Sequence, residues 1–156
     1  GRAYYKAELA ADNLLPLTGK VFLSIRNADK PELVEAARKL QAAGLELMGT
    51  RGTVNYLAQH GIFMDTVKKV HDGSPNVIDM MRRDEVDLII NTPTSKMSRK
   101  DGYRIRRAAV DFKVPYITTI QAAVAAADAI ETMKKGQDLT IKSINEYHRE
   151  MEQKEE

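Results

Sequence analysis

The sequence has 156 residues, 43% of them hydrophobic, which suits one globular domain with a substantial core. Acidic and basic residues nearly cancel to a net charge of +2, so a chain-wide nucleic-acid-binding surface is excluded and any basic function is local. The lack of cysteine excludes disulfides and thiolate metal sites, and no apolar run approaches the ~20 residues of a membrane span.

These bounds, with no signal-peptide core at the start, lead to the expectation of a cytoplasmic setting without a membrane partner. A start at Gly1-Arg2, without an initiator Met, leads to the expectation that the chain is an excised piece of something longer. Residues 1–18 stand apart: Tyr4, Tyr5, Ala7 and Leu9 pattern as a short helix, and Asn13 to Leu17 as an extended connector around Pro16. They read as a linker or the end of a preceding domain. The main domain is expected over 19–134 and a C-terminal helical tail over 135–156.

Lys20 to Ile25 is apolar nearly throughout, as a central parallel strand should be. Asp29 and Glu32 have capping-box spacing, with Pro31 in the first turn of a helix that carries Leu33, Ala36, Ala37 and Leu40 on one face. Gly44 ends that helix. Leu45 to Met48 reads as a second strand, and Gly49-Thr50-Arg51-Gly52-Thr53 as a turn that restarts as a helix, closed by Gly61. Free N–H groups at such a helix start, flanked by threonine hydroxyls, can hold a phosphate. The plainer alternative is that Thr53 caps the helix and Gly52 turns the chain.

Phe63 to Val70 patterns as a third, less apolar strand, and Ser74 or Asn76 with Pro75 marks the next helix start. Val86 to Ile90 is the fourth strand, ending in the polar turn Asn91 to Ser95. A basic stretch follows, with Lys96, Arg99, Lys100, Arg104, Arg106 and Arg107; only Tyr103 interleaves with its arginines, so base stacking has little to work with and no nucleic-acid partner is expected. Val114 to Thr119 is a fifth strand. Ile120 to Met133 forms an alanine-rich helix that Gly136 is expected to break, before a tail with Ile144, Tyr147 and Met151 at helical spacing.

Strands alternating with helices predict a three-layer αβα domain with a mostly parallel five-stranded sheet. Ligands of such folds sit at the carboxyl ends of the strands. The polar segments after the first four strands gather there, bringing threonines, lysines and an asparagine toward one crevice.

Seven segments, taken in order, carry a resemblance. They are Val21-Phe22-Leu23-Ser24-Ile25-Arg26, Asp29-Lys30, Thr50-Arg51-Gly52-Thr53, Val67-Lys68-Lys69-Val70, Ile89-Ile90-Asn91-Thr92-Pro93, Asp101 to Ala108 and Pro115 to Thr119. Together they resemble the C-terminal regulatory domain of carbamoyl-phosphate synthetase large subunits, which has the methylglyoxal-synthase-like fold. The resemblance covers about Leu15 to Met133. It implies an allosteric nucleotide effector, UMP or IMP, with its phosphate held by Lys30, Thr50, Gly52, Thr53 and Lys69. Asn91 and Thr92 would address base and ribose, and Ser24 would support the pocket.

By the same resemblance the parent enzyme is an ATP-dependent ligase using Mg or Mn, with its active sites upstream and no cofactor or catalytic residue in this domain. Implied partners are the synthetase domains of the same chain and a glutaminase small subunit, with self-association also possible for this domain type. The parent reaction would serve pyrimidine and arginine biosynthesis. Two departures bear on effector identity: Pro93 replaces a hydroxyl residue of some relatives, and residues 94–99 differ from the usual Ser-Gly-Arg-Arg run. The alternatives are a methylglyoxal synthase-type phosphate lyase and an IMP cyclohydrolase fragment. The first needs a carboxylate after a glycine pair and a histidine in the fourth loop; here the loops read Asp72-Gly73-Ser74-Pro75 and, from Asn91 to Asp101, contain no histidine.

Overall fold

The structure is a computed structural model that describes residues 15–155. The tyrosine-bearing opening segment expected as a connector lies outside the described residues. Strand β1 (Lys20–Ile25) buries Val21, Phe22 and Leu23 completely or nearly so, which requires cover on both faces. Helix α1 (Lys30–Ala42), β2 (Glu46–Gly49), α2 (Arg51–Ala58), β3 (Asp65–Thr66), α3 (Val77–Arg82), β4 (Leu88–Thr92), α4 (Lys96–Phe112), β5 (Tyr116–Ile117) and α5 (Ile120–Glu155) follow. The sheet runs β3-β2-β1-β4-β5, and each of its pairings is parallel.

Alternation along β1 and β4 splits the core in two. Val21, Leu23, Leu88 and Ile90 pack with Leu33, Ala37 and Leu40 of α1, Leu57 of α2 and the alanine face of α5. Phe22 and Ile89 face the other way, onto Val77 and Met81 of α3 and Ile105 and Ala109 of α4. A period of two in the strands thus sorts apolar residues to two helical layers, giving the expected αβα sandwich.

Four local expectations are corrected. Asp29 does not cap α1: its carboxylate accepts from Arg26 Nε at 2.6 Å, and a 3-10 turn over Asn27–Asp29 leads into the helix. The third strand shrinks to two exposed residues, because β3 is an edge that pairs with β2 alone. Beyond it the chain turns inward at Val70, which is buried in the α3–α4 layer, and Phe63 is left exposed. The fourth strand runs on through Asn91 and Thr92, so these are strand residues and not a turn.

Finally, Gly136 does not interrupt α5, which continues for 36 residues. Glycine costs only about 1 kcal/mol against alanine in a helix interior, too little to outweigh good helix formers on both sides. Among the described residues, apart from its chain neighbours and the helix's own backbone, nothing lies within 4 Å of the Cβ position at Gly136. Gly136→Ala is therefore expected to slow amide exchange in residues 133–140, by up to roughly fivefold for a gain near 1 kcal/mol. Unchanged exchange there would count against a continuous helix.

Candidate functional site

Winding carries the chain from β1 outward through β2 to β3, then back across β1 to β4 on its far side. That reversal opens a crevice at the carboxyl ends of β1, β2 and β4, the usual ligand position of doubly wound sheets. A cleft of about 220 Å³ occupies it, and Ser24, Lys30, Thr50, Gly52, Thr53, Lys69, Asn91 and Thr92 all line its wall. Every site residue expected from the sequence is thus brought to one place.

At the start of α2, both threonines are buried and neither caps the helix. Thr50 is the residue before the first turn and makes no capping bond; its hydroxyl donates to Ser24 Oγ at 3.3 Å. Thr53 Oγ1 accepts the N–H of Ile25 at 3.0 Å and so ties α2 to the end of β1. Among the described residues the N–H groups of Arg51, Gly52 and Thr53 find no protein acceptor, whereas Val54 N–H bonds to the Thr50 carbonyl. The capping explanation of this turn therefore fails. What remains is a set of backbone donors beside the cleft, which Gly52 and Thr53 line, at the positive end of a helix dipole.

Two ammonium groups join them. Lys30, at the start of α1, is only 9% exposed and donates to Asn27 Oδ1 at 2.6 Å. Burial, and after it the nearby Lys69, hold its ammonium below the ordinary value of 10.5. Among the described residues neither lysine has a carboxylate within ion-pairing distance. Two like charges repelling each other on one wall cost the free protein stability, a cost that a bound anion would turn into attraction. A side chain at Gly52 would intrude here, since a Cβ there would stand 3.2 Å from Lys30 Nζ.

The ends of β1 and β4 add neutral polar side chains to the cleft. Ser24 and Asn91 are register partners on β1 and β4 and share the α3–α4 face. Asn91 is buried and donates to the Tyr116 hydroxyl at 3.3 Å, which donates on to the Gly102 carbonyl. Its amide is thereby held in place, and its oxygen has no partner among the described residues. Thr92, one residue on, faces the other layer, where its hydroxyl accepts the N–H of Arg26 at 2.9 Å. Pro93 and the hydroxyl-rich segment Thr94, Ser95 and Ser98 close the rim, but Ser95 and Ser98 bond reciprocally to start α4.

Asp101 is a cleft residue that sequence reasoning did not single out. Its Oδ2 accepts from both the backbone N–H and the ring Nδ1 of His71, thirty residues away, and local patterning carries no signal for such a pairing. Asp72, which the lyase alternative would need in the cleft, lies outside it, in a neighbouring hollow.

These features define a class: an αβα domain with a cationic cleft at its topological switch point. The chain belongs to the MGS-like domain family, whose match spans residues 32–118. It is 99% identical over all 156 residues to the carbamoyl phosphate synthase large chain of Methanosarcina mazei, of which it spans 14%. It is also 53% identical over 150 residues to the carbamoyl phosphate synthase large chain, C-terminal section, of Methanopyrus kandleri, and spans 28% of that protein. A methylglyoxal synthase from Elizabethkingia anophelis superposes with a TM-score of 0.57 at 18% identity, over 75% of this chain and 79% of that one, a likeness of fold.

Proposed function

We propose that this chain is the effector-binding regulatory section of a carbamoyl phosphate synthase large chain and that its cleft takes a nucleoside monophosphate, UMP or IMP. The observation that carries the reading is the meeting of Lys30 and Lys69, which pair with no carboxylate among the described residues, at the uncapped start of α2. In this reading the phosphate takes the free N–H groups and both ammoniums, while the base reaches the Ser24–Asn91 wall. Binding would shift the domain against the synthetase units of the parent chain, changing ATP affinity there by the same coupling energy. The domain alone would be no enzyme. Its parent would act with ATP and a glutaminase subunit.

Calorimetric titration of the chain with UMP and with IMP tests this, and saturable 1:1 binding of at least one is expected. Silence for both would overturn the reading. Asp101, the carboxylate in the cleft, favours a second reading as a phosphate lyase. With Oδ2 committed to His71, and Asp72 outside the cleft, no methylglyoxal release from dihydroxyacetone phosphate is expected.

A further inference from the structure

Beside the cleft lies a second hollow of about 570 Å³, walled by Arg51, Asn55, Thr66, Lys68, Lys69 and Asp72. Gly52 and Lys69 line both spaces, so the two meet across a residue with no side chain. Arg51, Lys68 and Lys69 face one carboxylate there, that of Asp72, which lies 3.5 Å from His71 Nε2. Among the described residues none of the three cations has an ion-pair partner; Lys68 Nζ reaches only the Ser74 carbonyl, at 3.4 Å.

An unpaired lysine on a convex surface is ordinary. Three cations on one concave wall, continuous with an anion cleft and sharing Lys69 with it, are not explained by solvation alone. We propose that the anion site is bipartite, with Arg51 and Lys68 forming a subsite for a second phosphate linked to the one held at Gly52. The preferred ligand is then a nucleoside diphosphate or another diphosphate ester.

The chemistry fits the residue types. Arginine presents a planar fork that can grip two phosphate oxygens at once, and lysine adds a mobile point charge. Lys69, between the two spaces, is placed to touch both phosphates. Arg51 comes from the start of α2, which Thr53 Oγ1 ties to the end of β1, and Thr66 from β3, which pairs with β2, so the subsite is set by the sheet.

The inference rests on the anion-cleft reading above, and its test separates the two. The chain, and an Arg51→Ala/Lys68→Ala variant checked for an unchanged melting temperature, would be titrated calorimetrically with UMP, IMP, UDP, phosphate and pyrophosphate. Both altered residues are exposed, so the fold should survive. UDP is expected to bind about tenfold more tightly than UMP, and pyrophosphate more tightly than phosphate. In the variant both ratios should fall toward one. UMP binding with no diphosphate advantage, or an advantage that survives the double substitution, overturns the second subsite and leaves the monophosphate reading intact. Pyrophosphate binding that needs Arg51 and Lys68, with no nucleotide binding, upholds the subsite and removes the nucleotide. Silence for every ligand removes both.

Discussion

Replacing Lys30 and Lys69 together by alanine should weaken nucleotide binding by roughly two to four powers of ten, since each charge-assisted hydrogen bond lost contributes about 1.5–3 kcal/mol. The two are neighbours, so the single substitutions should not sum to the double. Lys69→Ala alone should separate binding from stability. It removes the charge that helps depress Lys30, so the free protein should melt no lower than wild type, and higher at low salt, while affinity drops.

The pH dependence follows with its sign. In the free protein the Lys30 ammonium is disfavoured relative to an unfolded chain, whose lysine sits at 10.5. That cost is fully present below the folded-state value and is relieved as pH rises past it. A bound phosphate reverses the direction by favouring the ammonium. Binding should therefore be accompanied by proton uptake when measured on the alkaline side, visible as a buffer-dependent heat. Affinity should decline there before an ordinary lysine would titrate. A buffer-independent heat through that range would remove Lys30 from the phosphate site.

Much of this site is legible in the residue order because it depends on local patterns that the fold then stacks. The apolar run Val21–Ile25 can only be a strand buried on both faces, and Gly44 and Gly61 adopt the positive φ expected of helix-ending glycines, +96° and +78°. Once strands and helices alternate, topology alone sends Thr50, Lys69 and Asn91 to the same end of the sheet. The misses arise where a non-local term outweighs a local one. Asp29 has the spacing of a cap, yet Arg26 claims its carboxylate. Lys68 to Val70 alternates like a strand, but at an edge the burial of Val70 decides its path. The His71–Asp101 pair, and the second cationic hollow, come from segments whose meeting no window of sequence contains.

Gly49→Ala should be among the most destabilising single-methyl additions in the domain, although the residue is a plain strand position. Gly49 closes β2 opposite Leu23 of β1, and a Cβ there would lie 2.4 Å from the Leu23 carbonyl oxygen. That oxygen cannot move aside like a flexible side chain, because it also accepts the Thr50 N–H at 3.2 Å. Nor can β2 retreat, since the Gly49 carbonyl accepts Val67 N–H at 2.7 Å from the other side. Overpacking of a tight interior costs about 1–3 kcal/mol, and an obstruction made of backbone belongs at the upper end. For a domain of this size that corresponds to a melting temperature lower by roughly 6–12 °C. Thr50 is the next residue, so the displacement should carry the phosphate cradle with it and weaken nucleotide binding without touching the ligand. A variant that melts within a degree of wild type would mean that β1 and β2 are not apposed at this register, and the cradle built on their ends would have to be redrawn.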